Sequence, residues 1–554
     1  MPTIEVSLND LDNLVGKKLS RYADDLWEVM DCVKGDVECV ENGNLKLEIG
    51  SSDRPDLWCV EGVARQIRGF LGLKTGIEDY SSKDSTLKVI VDNKMKGVRP
   101  YIACVVVRGV ALTDAIIKQL MQQQDKIDSS YGRNRRRTSI GMYDLDLLKF
   151  PLRYTFTKPD ENPFVPLDFL KEMTPREILR EHPKGQEYGR LVSYLKEYPI
   201  FLDADGKVLS MPPVINSNTM GKITDKTKNV LVEVTGTDYM SVNNVLTIMA
   251  MSLADRGGKL TSVRIAYPYM KGDKTPHFDT RKMRLDADYV NRILGTELKV
   301  PEMIRLLKRS RFDASPAGKG VEVTVPFHRV DIMHPVDLIE DITIAYGCGN
   351  FKPDEMRLAT TGGLSPRERY SNKIRDVMIG SGFQEVMTFT ITSRANLFDK
   401  MNVREEEAVE IANPVNLELT HLRNWMLPGL MKFFSENKHH TYPQRIFEVG
   451  DCVVLDDRSE MKTRNVGKIC CAISYDNANL TEIKSHVESL LNGLGIDYGI
   501  RAMYHPSFIE TRCGMIVVKD KIIGIFGEVH PKVLQSWKLE KPVIAFEIEL
   551  DKLM

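Results

Sequence analysis

No single hydrophobic core can organise this chain. It runs to 554 residues, whereas one core stops growing at roughly 250–300, so the sequence predicts about three to five domains. Its apolar runs are short and change period along the chain. None approaches the roughly 18 residues that a membrane-crossing helix needs, so a soluble, cytoplasmic protein with no membrane contact is expected. The opening stretch, MPTIEVSLNDLDNLVGKKLS, reads as a strand and a capped helix rather than a signal peptide. The nine cysteines are scattered, with Cys470 and Cys471 adjacent and no C-x-x-C spacing. That pattern predicts reduced thiols rather than a disulfide or zinc framework.

Residues 1–80 read as a compact N-terminal α+β unit. Within it, 52–72 is a turn followed by a helix, with Asp53 or Asp56 as its cap. Val60, Val63, Ala64, Ile67, Phe70 and Leu71 give that helix an apolar stripe. SSKDST at 81–86 is polar enough for a linker. From 87 to 268 strands dominate, among them the β-branched runs 101–110 and 229–238, with helices at 114–127 and 242–257. This is a central α+β domain. Residues 274–350 place helices at 285–295, 301–312 and 336–347 around a strand at 321–327, a winged-helix-like pattern. Residues 360–554 mix helices at 367–382 and 427–440 with strands at 384–392, 444–455, 521–529 and 542–550. A long antiparallel sheet with helices on one face is expected there. The fold class is α+β multidomain.

Charge restricts the functions open to such a chain. Lys+Arg number 76 against 77 Asp+Glu, so bulk electrostatic binding of nucleic acid is excluded and any such contact is local or shared with a partner. One local candidate is GRNRRRTSIGMYDLD (132–146), with Arg133, Arg135, Arg136 and Arg137. Such a run can grip phosphates or can be a solvated loop. KHHTYPQR (438–445) carries the same two readings.

Two further groups carry chemistry. Asp337, Glu340 and Asp341 are spaced i, i+3 and i+4 on one helical face, and Asp331 precedes them across a turn with Pro335. Oxygen ligands of this kind suit a hard cation such as Mg2+. Acidic residues in a first helical turn also favour the macrodipole without any metal. If all four are close, their repulsion needs a cation or a partner's Lys or Arg among them. The second group lies in 215–238: Asn216, Ser217, Glu233, Thr235, Thr237 and Asp238. Glu233, Thr235 and Thr237 share one strand face and could hold a water or an ammonium group; by spacing alone a hydrogen-bonded strand end bent at Gly236 is the favoured reading.

Taken in order, SDRPDLWCVEGVARQIRGFLG, RRRTSIGMYDLD, PPVINSNTMGKITDKTKNVLVEVTGTD, HRVDIMHPVDLIEDITIAYG, the run at 412–451 and FGEVHP resemble the β-subunit family of phenylalanyl-tRNA synthetases in its shorter archaeal and eukaryotic-cytosolic form. The resemblance spans essentially the whole chain. It implies a Mg2+ site, shared with an α subunit, at Asp331, Asp337, Glu340 and Asp341. It implies an editing module in the central domain that hydrolyses tyrosine from mischarged tRNA, with Asn216, Ser217, Glu233, Thr235, Thr237 and Asp238 as its candidate residues. It implies a degenerate class II synthetase domain at the end, because no arginine follows the glycine in RIFEVGDCVVLDD and AFEIELDKLM has neither glycine nor arginine, so the cations that would compensate a triphosphate are missing. ATP would then be bound by the α subunit of an (αβ)2 heterotetramer that charges tRNA(Phe). A standalone hydrolase of mischarged tRNA and a tRNA-binding scaffold are the competing expectations.

Overall fold

The computed structural model describes residues 2–353, 355–356 and 359–553. The chain divides into two compact units, Met1–Asp354 and Glu355–Met554. The molecule is a mixed α+β multidomain protein with several separate sheets. No helix among the described residues is long and apolar enough to cross a membrane. All nine cysteines are unpaired.

The first unit opens with β1 (Thr3–Ser7), α1 (Leu8–Val15), α2 (Ala23–Met30), β2 (Gly35–Glu41), β3 (Asn44–Ile49) and α3 (Val60–Phe70). The strands pair antiparallel in the order β1-β3-β2. Ile4 and Val6, at alternate positions of β1, are buried with Leu45 and Leu47 of β3 against Leu8 and Leu11 of α1. The cap of α3 is Cys59, whose Sγ accepts from the Gly62 N–H (3.4 Å). Asp53 and Asp56 do not serve, because Asp56 is turned back onto the Arg54 guanidinium in two 2.8 Å bonds. Gly62 lets α3 lie directly on this turn: a Cβ there would sit 1.7 Å from the Asp56 carbonyl oxygen. Backbone cannot rotate away as a side chain does, so Gly62→Ala is expected to lose about 1–3 kcal/mol or more of stability, read as a lowered thermal midpoint.

The central part contains β4 (Lys88–Val91), β5 (Tyr101–Arg108), α4 (Asp114–Ser129), β6 (Thr138–Asp144), β7 (Leu152–Thr157), α5 (Pro175–Glu181), α6 (Pro183–Tyr188), β8 (Tyr198–Leu202), β9 (Val208–Met211), β10 (Ile215–Asn216), β11 (Asn229–Gly236), α7 (Tyr239–Asp255), β12 (Lys259–Ala266) and β13 (Asp273–Thr275). Its ten-stranded sheet runs β10-β9-β8-β7-β4-β12-β5-β11-β6, with β13 added on β12. β4 is parallel to β7 and β12. Period-two alternation sends the two faces of β5 and β11 into different cores. Ala103, Val105, Val107, Val230, Val232 and Val234 meet α7 through Val245, Leu246 and Met249. Ile102, Cys104, Val106 and Leu231 face Tyr143, Tyr154 and Phe201. Burial on both faces is why these strands read as continuous apolar runs. The 81–86 stretch is no free linker: Lys83 bridges to Thr261 and Ser85 bonds the Ser262 carbonyl, extending the sheet.

The unit ends with β14 (Arg281–Asp286), α8 (Ala287–Leu294), α9 (Val300–Arg309), β15 (Asp313–Ala317), β16 (Gly320–Val325) and α10 (Pro335–Tyr346). Three strands in the order β14-β16-β15 carry the three helices on a core of their own. Asp286 caps α8 through the Tyr289 N–H (2.9 Å), and Gly295 ends it at φ +67°.

The second unit comprises α11 (Pro366–Gly380), β17 (Gln384–Glu385), β18 (Ile391–Thr392), α12 (Arg394–Leu397), β19 (His421–Leu422), α13 (Leu427–Glu436), β20 (Gln444–Leu455), β21 (Thr463–Ser474), α14 (Leu480–Gly493), β22 (Gly499–Ala502), β23 (Phe508–Val518), β24 (Lys521–Val529), α15 (Pro531–Ser536) and β25 (Val543–Glu549). Its sheet runs β17-β20-β21-β25-β24-β23-β22 and is antiparallel except at the β17 edge. Helices cover both faces rather than one: α11 and α14 pack on one side, α13 and α15 on the other. The expected strand 384–392 is two short pieces, because Met387 (94% exposed) and Phe389 (85%) turn outward between them.

Candidate functional site

Glu233 sits in the middle of β11, opposite Cys104 of β5 and Gly141 of β6. It is 2% exposed. Its Oε2 accepts from the Tyr143 hydroxyl (2.7 Å), whose oxygen lies 2.8 Å from Ser210 Oγ. A phenol has one proton, so when Tyr143 donates to Glu233 it accepts from Ser210. That contact also draws β9 against β6, which curls the sheet toward closure. Gly141 is required here, since a Cβ would lie 2.4 Å from Glu233 Oε2 and 2.3 Å from the Tyr143 hydroxyl. Burial pushes the Glu233 carboxyl up to about 7, with the Tyr143 bond and Arg99 pulling the other way.

Thr235 continues the same strand face. Its Oγ1 accepts from Arg99 Nε (2.9 Å) and lies 3.1 Å from Ser139 Oγ. Arg99, 4% exposed, also donates to Ser139 Oγ (3.0 Å) and to the carbonyls of Thr235 (2.6 Å), Arg135 (3.1 Å) and Arg136 (3.3 Å). No carboxylate pairs with it directly among the described residues. Thr237 is exposed and, with Arg99, lines a cavity of 550 Å3. Thr237, just past β11, is thus at the cavity wall, while Thr235 and Glu233 on β11 are buried behind it.

The other candidates of the 215–238 stretch are not part of this row. Asp238 caps α7, accepting from the Ser241 N–H (2.8 Å) and pairing with Arg137 (3.4 Å). Asn216 lies on β10, and Ser217 Oγ bonds Thr219 Oγ1 (2.8 Å). No hydrogen bond joins either to Glu233 or Thr235 among the described residues. Sequence reasoning missed Tyr143, Ser210 and Arg99. Tyr143 lay within the GMYD stretch two positions from Gly141, but its partner comes from a strand that only the curled sheet brings near.

The four acidic candidates divide among separate tasks. Asp331 and Asp341 both take the Arg329 guanidinium between them, Asp331 at 2.7 Å. Arg54 stands 3.8 Å from Asp331. Asp337 accepts from the N–H groups of Met333 and His334 (2.7 Å each) at the start of α10. Glu340 pairs with Lys34 at 2.7 Å. The positive charge required among these carboxylates is supplied by the chain's own side chains. Among the described residues of this chain, no three Asp, Glu, His or Cys side chains are gathered as they would be around a metal ion.

In the second unit the buried cations on the sheet are matched one to one. Arg423 pairs with Glu448 (2.7 Å), and Lys468 with Glu547 (2.8 Å). Glu547 also caps α13 through the N–H groups of Met426 (2.9 Å) and Leu427 (3.0 Å).

The "tRNA synthetase B5 domain" family matches residues 283–348, and the "Phenylalanyl tRNA synthetase beta chain CLM domain" family matches 354–550. Among curated relatives, the "Phenylalanine--tRNA ligase beta subunit" of Pyrococcus furiosus is 43% identical over all of both chains. The protein of that name from Methanococcus maripaludis is 39% identical, again over all of both. The crystal structure of an N-terminal fragment of the phenylalanyl-tRNA synthetase β-subunit from Pyrococcus horikoshii aligns with a TM-score of 0.60 at 39% identity, covering 62% of this chain and all of that one. Both family matches and the layered α+β fold place the chain among the tRNA synthetase proteins. More narrowly, it belongs to the phenylalanine–tRNA ligase beta subunit family.

Proposed function

We propose that this chain is the β subunit of a cytoplasmic phenylalanine–tRNA ligase, joined to α subunits in an (αβ)2 heterotetramer that uses ATP and Mg2+ to charge tRNA(Phe). In this reading 1–80 is the N-terminal domain, 87–268 the editing domain, 274–350 a winged-helix-like domain and 360–554 an inactive class II synthetase-like platform. The observation that carries editing is Glu233 on Tyr143, a carboxyl near neutrality at the inner end of a row of hydroxyls. A carboxyl near neutrality can give or take a proton at pH 7, and in this reading a hydrolytic water would reach it past buried Thr235. Ser210 and Tyr143 fix its orientation, and Arg99 holds Thr235 beside it.

The paired charges of the second unit support an inactive platform, since Arg423 and Lys468 are already neutralised. The same unit exposes Met387 and Phe389 beside β18, and Val415 (98%) and Leu417 (89%) before β19. A partner chain would cover such a group, which favours a subunit over a standalone hydrolase.

Assays of the chain alone and with its α subunit test this reading. Phenylalanine charging should require α, and the complex should hydrolyse tyrosyl-tRNA(Phe). Glu233→Gln is expected to slow that hydrolysis about 100-fold while charging is unchanged. Charging by the chain alone would overturn the inactive platform. Hydrolysis at the parental rate in both Glu233→Gln and Thr235→Val would overturn the placement of the editing site.

A further inference from the structure

The arginine run after α4 is two sets of side chains. Arg135 and Arg137 are anchors. Arg135 pairs with buried Asp128 (3.1 Å), stacks on Tyr188 (4.3 Å) and donates to the carbonyl of Val214 (3.0 Å). Arg137 stacks on Tyr131 (5.0 Å) and pairs with Asp238. Arg133 and Arg136 are exposed, and their side chains have no hydrogen-bond or ion-pair partner among the described residues. Arg190, just after α6, is exposed and unpartnered in the same sense.

These three arginines line one cavity, the 550 Å3 space that also touches Arg99 and Thr237. No Asp or Glu lines it. Tyr194, 72% exposed, stands at its edge. The turn that presents the arginines is held in a disfavoured form: Arg133, Asn134 and Arg135 all have left-handed φ (+52°, +52° and +62°). The anchoring of Arg135 and the Arg137 N–H to Gly132 carbonyl bond (2.8 Å) fix that form. A globular surface that leaves three guanidinium groups without counter-charge around one hollow is built for a ligand with several negative charges. The exposed phenol adds a flat face on which a base can stack.

We propose that Arg133, Arg136 and Arg190 clamp successive phosphates of a single-stranded RNA end, with Tyr194 stacking one base, so that the strand's terminus is aimed along Thr237 toward Glu233. This rests on the editing reading above for its direction, but the clamp itself does not depend on hydrolysis. Phosphates on forked guanidinium groups supply affinity and register without sequence readout, so any single strand of suitable length should bind there.

The test uses the αβ complex and a fluorescently labelled single-stranded RNA of the acceptor-end sequence. Arg133→Gln/Arg136→Gln/Arg190→Gln should weaken binding at least about tenfold and lower the slope of log K against log salt by about 2, as expected for three lost phosphate contacts on a single strand. Arg136→Lys should keep most of the slope while losing part of the affinity. Tyr194→Ala should weaken binding with the slope unchanged. In tyrosyl-tRNA hydrolysis the triple variant should raise KM with kcat retained, and phenylalanine charging by α should not change. A triple variant with parental RNA affinity and parental slope overturns the clamp. Inorganic pyrophosphate displacing the RNA at equal concentration also overturns it, assigning the cavity to a free anion. If the editing reading alone is wrong, hydrolysis is absent in the parent while the RNA-binding differences remain.

Discussion

Replacing Arg329 with alanine is expected to destabilise the Met1–Asp354 unit by about 3–5 kcal/mol, the range seen when one partner of a buried ion pair is removed. Its side chain is 3% exposed, between Asp331 (8%) and Asp341 (7%), and lies over the Phe312 ring at 4.6 Å. Truncation leaves Asp341 buried with no cation in contact and opens a void on Phe312. Arg54 cannot take over, because its fork is committed to Asp56. His328 next door cannot either: burial holds its imidazole down to about 3 and therefore neutral. Arg329→Lys restores the charge but not the two-sided fork, so it should recover part of the loss. Denaturant titration at pH 7 checks this, and a loss below about 1 kcal/mol would show the pair to be solvent-screened like a surface bridge.

The second large effect is a pH dependence. The Glu233 carboxyl is raised from 4.5 to about 7 in the folded protein, first by burial. The folded state then keeps a proton that the unfolded state releases between those values. This contribution is full below pH 4.5 and is lost as pH rises through 7, amounting to roughly 3 kcal/mol in all. Asp128, also raised to about 7 by burial against the pull of Arg135, adds a slope of the same sign in an overlapping window. Glu233→Gln keeps an acceptor for Tyr143 and should remove its own share, so the variant gains on the parent from pH 4.5 to about 7 and the difference levels off above that. Adding Asp128→Asn should flatten most of what remains. Equal slopes for the parent and Glu233→Gln would show that Glu233 titrates as an ordinary exposed carboxylate.

What could be read from the chain was whatever a local pattern carries. The runs around Val105 and Val232 announced strands, and the helix expected at 285–295 is α8, capped by Asp286 and ended at Gly295. The failures share a cause, which is that partners arrived from elsewhere. QEVMTFTIT has a strand's composition, but Met387 and Phe389 find no core to enter. The carboxylates of α10 share a helical side, yet their fate was set by Arg329 and Lys34. Arg329 stood two residues before Asp331 in the quoted HRVD, and that adjacency was the available signal. Arg99 had none, being a lone arginine whose acceptors are spread over three other segments. The arginine run was visible as a run; its division into anchors and free groups depends on Asp128, Tyr188 and Asp238.

The position of β12 has a consequence for how the protein is made. Residues 259–266 fill the gap between β4 and β5, pairing with 88–90 on one side and 105–108 on the other. A ribosome delivers that strand about 150 residues after the ones it joins, so the sheet waits as two halves, each with an open edge. Loop closure over such a span is slow, and open edges recruit other chains. A nascent chain stalled before Lys259 should therefore be aggregation-prone in proportion to the pause, and the synthesis rate through α7 becomes a determinant of yield.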